Sequence, residues 1–302
     1  MSIVVVGSVA FDSVRTPYGE VEDALGGAAT YFSVAASYFS PVRVVAVVGE
    51  DFSEEHMSVF QRRGIDCSGI ERASGRTFRW GGEYSWNLNE RQTLFTELNV
   101  FENFAPKLPK AYIESPYLFL ANIDPELQLS VLEQMEGSRL VACDTMNYWI
   151  EGQPEALRKL LRRVDVLVIN DDEARELSGT FNLVQAAHAI RTMGPAALVI
   201  KRGEHGVLAF LGDEVFTAPG FPLEKLADPT GAGDTFAGGF LGYLAQNGDY
   251  GPAALRRGIV AGSVMASFCV ESFSLDGILA LDEAAIQQRY RAFQLLTEFG
   301  DL

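Results

Sequence analysis

The segment Asp228-Pro229-Thr230-Gly231-Ala232-Gly233-Asp234-Thr235-Phe236-Ala237-Gly238-Gly239-Phe240 has residue types and spacing suited to anion chemistry. A Gly-x-Gly turn that runs into a helix leaves several main-chain N–H groups unpaired and aimed at one point. The aligned peptide dipoles favour negative charge there. Gly231, Ala232 and Gly233 are the expected donors, with Thr230 beside them. Asp234 falls in the first helical turn, where two roles compete. As a cap it would accept N–H bonds and do nothing else. As a general base it would take the proton of a hydroxyl attacking a phosphorus held by the same amides.

Such a turn needs a scaffold, and the sequence supplies the alternation of a parallel α/β sheet. The runs 3–6, 42–48, 117–121, 140–143, 164–169 and 196–200 are nearly continuous in Val, Leu and Ile, as strands covered on both faces should be. Helical patterns lie between them at 28–39, 54–63, 125–136, 154–161, 173–177 and 183–193. The last third changes character. An antiparallel pair at 206–210 and 214–217, turned at Gly212-Asp213, precedes the glycine-rich segment and helices predicted over 234–245, 252–267 and 282–299. Ligands of such sheets sit beyond the carboxyl ends of the strands. Residues 77–98 break the rhythm, with aromatic, polar and β-branched residues in alternation. They read as two strands of a small antiparallel sheet joined by 12–18, which would form a lid over a cleft; an ordinary surface hairpin is the alternative.

Composition narrows the class. With 302 residues and 48% hydrophobic content the chain can bury a large core, which excludes disorder and a disulfide-stapled miniprotein. The balance of 40 Asp+Glu against 24 Lys+Arg, with no basic cluster beyond Arg pairs, argues against a nucleic-acid partner. Three Cys and three scattered His give no metal-ligand spacing and fit reduced thiols in a cytoplasmic protein. The N-terminal MSIVVVGSVAFD reads as a strand, and the apolar stretch 258–270 is too short to span a membrane.

The glycine-rich segment resembles the C-terminal signature of the ribokinase/PfkB family of carbohydrate and nucleoside kinases, and further matches follow in order along the chain. Gly26-Gly27-Ala28-Ala29 resembles that family's N-terminal Gly-Gly motif, with Asp12 where the family places a substrate-binding Asp. Val48-Gly49-Glu50-Asp51 resembles its V-G-x-D segment, Asn170-Asp171-Asp172-Glu173 its N-x-x-E motif, and Lys201 to Gly206 the strand-turn element before the nucleotide loop. The resemblance runs from Ile3 to about Ser274 and implies a ribokinase-like three-layer α/β/α fold, one kinase domain over 1–302 with a β lid at roughly 12–18 and 77–98.

It also implies roles. Asp234 becomes the base, and Gly231, Ala232 and Gly233 the anion hole. Asp12, Gly26 and Gly27 would orient the acceptor, with Asp51, Asn122 and Asn147 as further acceptor-side candidates. Asn170 and Glu173 would form the water-mediated environment of a Mg²⁺ ion carried with ATP. Lys201, Gly203, Gly206, Thr230, Gly262 and Ser263 fall on the nucleotide side. A basic residue after a strand is also commonly just solvated, and small residues in a helix commonly serve packing. The absence of G-x-x-x-x-G-K-[ST] excludes a P-loop enzyme.

Departures from the family shape the acceptor. Ala10 and the run Ala28 to Tyr31 replace polar partners of a free pentose, which disfavours ribose. Asp144-Thr145-Met146-Asn147-Tyr148-Trp149 resembles a sugar-acid kinase stretch yet has no Arg to grip a carboxylate. Tyr31, Trp80, Trp86 and Met146 would make an apolar, aromatic pocket suited to a nucleoside or cyclic polyol, or else they are packing. Pro229 costs an N–H near the monovalent-cation site of some members, and 269–274 lacks their usual glycine, which weakens the case for a monovalent ion. The expected activity is ATP-dependent phosphorylation of a sugar, cyclic polyol or nucleoside hydroxyl, with a non-catalytic sugar or nucleotide sensor as the alternative. A homodimer through the lid is implied as well, with 78–86 as a candidate interface.

Overall fold

The computed structural model describes residues 1–298. Among them are thirteen strands: β1 (Ile3–Val6), β2 (Ala10–Thr16), β3 (Gly19–Gly26), β4 (Val42–Val48), β5 (Asp66–Arg72), β6 (Phe78–Tyr84), β7 (Arg91–Glu97), β8 (Tyr117–Leu120), β9 (Leu140–Cys143), β10 (Val166–Asn170), β11 (Ala197–Lys201), β12 (Val207–Leu211) and β13 (Glu214–Ala218). Nine of them form the central sheet in the order β13-β12-β11-β10-β9-β8-β1-β4-β5. Pairing is parallel from β5 through β11, and β12 and β13 close the edge antiparallel, as the Gly212-Asp213 turn predicts. Alternation divides each strand between two layers: Ile3 and Val5 join one core and Val4 and Val6 the other, all fully buried. Helices Ala28–Ala36, Ala232–Asn247 and Pro252–Cys269 cover the first face; Pro125–Gln134, Pro154–Leu161 and Leu183–Arg191 cover the second. This is the ribokinase-like three-layer α/β/α arrangement.

Sequence order reverses between β1 and β8, so the crevice of the sheet opens there, at the carboxyl ends of the strands. Asn122, Asp144, Asn170 and Lys201 lie at or just beyond those ends, and Asp12 lies within β2. The second sheet, in the order β3-β2-β6-β7, projects beside the crevice. It consists of two antiparallel hairpins whose inner strands, β2 and β6, run parallel, and it adds residues 19–26 to the predicted lid. The strands β3 and β5 were absent from the sequence expectation. Both are polar and partly exposed, so neither carries the continuous Val/Ile signal that marked the interior strands. The final helix spans Glu283–Thr297, and its predicted end at Phe299 lies outside the described residues. Among the described residues no helix is long and apolar enough to cross a membrane.

Candidate active site

The helix Ala232–Asn247 begins on Gly231, whose φ of 73° is a left-handed conformation that glycine adopts without strain. A Cβ at Gly231 would also strike the buried Tyr31 ring, so the position is doubly restricted. No side chain caps this helix. The Thr235 N–H returns to the Gly231 carbonyl at 2.8 Å, whereas the N–H groups of Gly231 and Gly233 find no main-chain partner among the described residues. Ala232 differs from expectation: its N–H donates to the Pro229 carbonyl at 3.1 Å, which removes it from the anion-facing set. The cradle is thus made by Gly231 and Gly233. A Cβ at Gly233 would lie 2.8 Å from Lys201 Nζ, so the only lysine at these strand ends stands beside the free amides.

Asp234 sits in the first turn of the same helix, and the one backbone amide that bonds its carboxylate is its own. Burial pushes its pKa up, against the opposing pull of Lys201 and of Arg91. Across the cleft, Asp12 is 6% exposed and accepts the Gly27 N–H at 3.3 Å. Burial raises it to about 7, with Asp228 and Asp234 adding to the shift. Gly26 and Gly27 are needed by geometry. A Cβ on Gly26 would collide with the Asp12 carboxylate, and Gly27 has φ 91° with the Ser8 carbonyl 2.6 Å from where its Cβ would be.

Asn170 and Glu173 form a reciprocal capping box: the Asn170 side chain accepts the Glu173 N–H at 2.8 Å, and Glu173 Oε2 accepts the Asn170 N–H at 2.8 Å. Burial raises Glu173, while Lys201 and the Asn170 amide oppose it. Asp144, which the sequence reading did not assign to the site, is buried; burial and then the charge of Asp234 raise it well above the usual carboxylate range. The charge of Lys201 acts on Asp144, Glu173 and Asp234 alike, though Lys201 forms no ion pair among the described residues.

Carboxylates such as Glu173, with one oxygen spent on the Asn170 amide and the other unassigned, suit a hard divalent cation such as Mg²⁺. No group of three or more His, Cys, Asp or Glu among the described residues is arranged to hold a metal by itself. The residues fit a cation that shares its shell with phosphate oxygens.

Other expectations part company with the structure. Asp51 accepts the Thr77 N–H and hydroxyl at 2.7 and 2.6 Å and pairs with Arg79 at 3.2 Å. Burial pushes Asp51 up, but these partners outweigh it and hold the carboxyl below its ordinary value. Asp51 thus anchors the root of β6. Asn147 is exposed and makes no side-chain hydrogen bond among the described residues. Asn122 donates to Met146 Sδ at 3.1 Å and accepts Trp149 Nε1–H at 3.0 Å, which braces the loop after β9.

On the nucleotide side, Gly262 is a helix contact, since a Cβ there would meet the Phe236 carbonyl at 2.6 Å, and Ser263 bonds its own helix at the Ile259 carbonyl, 3.0 Å away. Gly206 is required by the close approach of the Ala218 carbonyl. Gly203 faces the lid tip, where Asn89 Oδ1 stands 2.5 Å from a would-be Cβ. Thr230 anchors its loop, its N–H bound to Asp228 at 2.8 Å. Trp86 is 81% exposed at the hairpin tip, and Tyr31 is fully buried as packing under Gly231.

The lid supplies two residues missing from the sequence reading. Thr230 Oγ1 donates to Tyr84 Oη at 3.2 Å, so the lid rests on the anion loop. Arg91 pairs with Tyr84 in the β6–β7 register, shares its face, and lies 5.2 Å from the Trp80 ring centroid. Its charge is felt by Asp12, Glu173 and Asp234. The strict alternation of Trp80, Gly82 and Tyr84 was the available signal, but which face met the cleft depended on the fold.

The chain belongs to the pfkB family of carbohydrate kinases, whose model matches residues 1–274. It is 30% identical over 246 residues to a cytidine kinase of Thermococcus kodakarensis, covering 80% of this chain and 87% of the relative. The nucleoside kinase of Methanocaldococcus jannaschii, an archaeal member of the ribokinase family, superposes with a TM-score of 0.74 at 21% identity over 96% of this chain and 98% of that one. A ribokinase of Cryptococcus neoformans solved in complex with ADP superposes at 0.76 with 19% identity, over 95% and 99% of the two chains. Sugar and nucleoside kinases thus surround this chain in both sequence and fold.

Proposed function

We propose that this protein transfers the γ-phosphoryl group of ATP to a hydroxyl of a nucleoside. The observation that carries the reading is the open start of helix Ala232–Asn247: two free amides, a lysine beside them, and a carboxylate not spent on capping. In the reaction the acceptor O–H bond breaks as the O–P bond forms, and Asp234 receives the proton. The bond from phosphorus to the leaving oxygen breaks, and its electron pair stays on ADP. The Gly231 and Gly233 amides and Lys201 stabilise the charge of the moving phosphoryl. Asp12 and the Gly27 amide orient the acceptor, and Arg91 adds positive charge from the lid. Mg²⁺ held through Asn170 and Glu173 would supply charge neutralisation of the phosphate oxygens. A raised Asp234 is well matched to taking a hydroxyl proton near neutral pH.

The nucleoside preference is supported by the cytidine kinase relative and by Trp80 and Tyr84, which present aromatic rings on the lid face toward the loop. No Arg follows Asp144 to hold a sugar acid. An ADP-release assay over nucleosides, myo-inositol, hexoses, pentoses and their acids tests the assignment. A nucleoside, with cytidine first among those to try, should give the highest kcat/KM; ATP binding without turnover on any acceptor would instead indicate a sensor. A homodimer through the lid is part of the same proposal: β7 is an unpaired edge with Leu94 and Phe95 exposed, and light scattering should report twice the chain mass.

A further inference from the structure

The two hairpins of the lid are tied to the body of the protein in different ways. β2–β3 is held on two segments that meet at Asp228: Thr16 Oγ1 donates to the Ala227 carbonyl at 2.8 Å, and the Leu25 carbonyl accepts the Ser274 hydroxyl at 2.7 Å. β6–β7 is anchored at its root by Asp51, and its register then slips between Gly81 and Gly82. From Tyr84 to Glu97, among the described residues, the one side-chain hydrogen bond that leaves this hairpin is the one from Thr230 to Tyr84 Oη. Tyr84 is 9% exposed, and burial raises its pKa, so its oxygen meets Thr230 as a neutral phenol.

Thr230 is bonded through all three of its polar groups. Its N–H donates to Asp228 Oδ1 at 2.8 Å, its carbonyl accepts the Cys269 S–H at 3.5 Å, and its hydroxyl donates to Tyr84. These bonds make it a fixed point of the chain. The peptide that joins it to Gly231 carries one of the two free cradle amides. That peptide is planar, so the torsions on its two sides set the direction of its N–H. On one side stands Gly231, with φ 73°, a region that glycine enters and leaves at little cost. Holding the direction falls to Thr230, and Tyr84 is its one partner from the lid.

We propose that Tyr84 is a positioning residue for the anion cradle: its hydroxyl, seated on Thr230, aims the Gly231 amide, and the cradle takes its working shape only while the β6–β7 hairpin rests on the loop. The inference rests on the kinase reading and deepens it. The third phosphate of the nucleotide and the seating of the hairpin favour each other, by the reciprocity of linked equilibria.

The test compares wild type with Tyr84→Phe, Thr230→Val and the double variant, each checked by thermal melting. Tyr84→Phe removes one oxygen and keeps the ring; if it melts early, Thr230→Val carries the same readings. Calorimetry on the full-length protein measures ADP and the non-hydrolysable β,γ-imido analogue of ATP, each with Mg²⁺. Tyr84→Phe should weaken the analogue and lower kcat by about tenfold each, while ADP affinity and the acceptor KM stay within about twofold. The double variant should lose no more than the worse single variant, because both break one contact. Analogue affinity unchanged in Tyr84→Phe, or losses that multiply in the double variant, overturn the inference. A raised acceptor KM with analogue binding intact overturns it too and assigns Tyr84 to the acceptor. Turnover that is indifferent to Tyr84→Phe rejects this assignment alone, whereas Tyr84-dependent analogue binding without turnover on any acceptor rejects the kinase reading alone.

Discussion

Two helices start at the carboxyl side of the central sheet with acidic residues in their first turns, and they complete their ends in opposite ways. At Asp171–Ser178 the Asn170 and Glu173 side chains each bond the other's amide, so the helix end is closed. At Ala232–Asn247 the preceding residue is a left-handed glycine with no side chain, the end stays open, and Asp234 is not used as a cap. An acid in a first turn is therefore not a catalytic signal in itself. What distinguishes Asp234 is that its helix leaves two amides unpaired and bonds the acid to no amide but its own, beside Lys201. The same turn chemistry closes a helix end in one place and leaves amides open in the other.

The contrast can be broken most forcefully at the open end. Asp234→Asn should lower kcat by about 10³-fold with the fold retained, as expected for loss of a general base. Steady-state kinetics within tenfold of wild type would remove Asp234 from the mechanism. Because burial raises its pKa, acidification should protonate Asp234 and depress kcat at a pH above the ordinary carboxylate value of about 4. A kcat that stays flat down to that value contradicts the assignment.

Next in size is Arg91→Ala, which takes one positive charge from the lid face over the cleft. A fall of about tenfold in kcat/KM is expected. An unchanged kcat/KM would leave Arg91 as a mere support for Trp80.

Asp12 sharpens the comparison through stability. Its folded pKa of about 7 lies above its unfolded value of 3.8, so its favourable contribution is complete below 3.8 and is lost as pH rises through 7. The stability advantage of Asp12→Asn over wild type should grow by about 2 kcal/mol between pH 5 and pH 8.5. Urea unfolding at the two pH values measures it, and a pH-independent difference would mean Asp12 is not held in this raised state.

The smallest effect belongs to the closed end. Asn170→Ala should cost about 1 kcal/mol, or about 2 °C in Tm, through the lost cap. Glu173→Gln preserves the capping box and should leave Tm nearly unchanged. Equal Tm losses in both would show that the Glu173 charge, not the cap geometry, stabilises this helix.

Much of the scaffold was legible because it depends on local pattern. Interior strands such as Val166–Asn170 are continuous in apolar residues, and the glycine turn before Ala232 announces itself by composition. The strands Gly19–Gly26 and Asp66–Arg72 were not legible, since edge positions tolerate Glu, Asp and Gly and become strands only because β2 and β4 offer them partners. The anchoring role of Asp51 was hidden for a related reason: its motif is local, but its partners Thr77 and Arg79 arrive from the segment at and before β6. Gly262 likewise reads as a flexible contact until helix packing against Phe236 explains it.

The sequence by itself determined the layered α/β scaffold and the glycine turn at Gly231 to Asp234 that opens helix Ala232–Asn247, because hydrophobic period and turn chemistry act over a few residues. Only the tertiary structure decided which of those features faces an open cleft. Tyr84 meets Thr230 across 146 residues of chain, and the charge of Asp234 reaches Asp144 at the end of β9. Burial and charge at those carboxyls are set by neighbours distant in sequence, and no local pattern encodes that field.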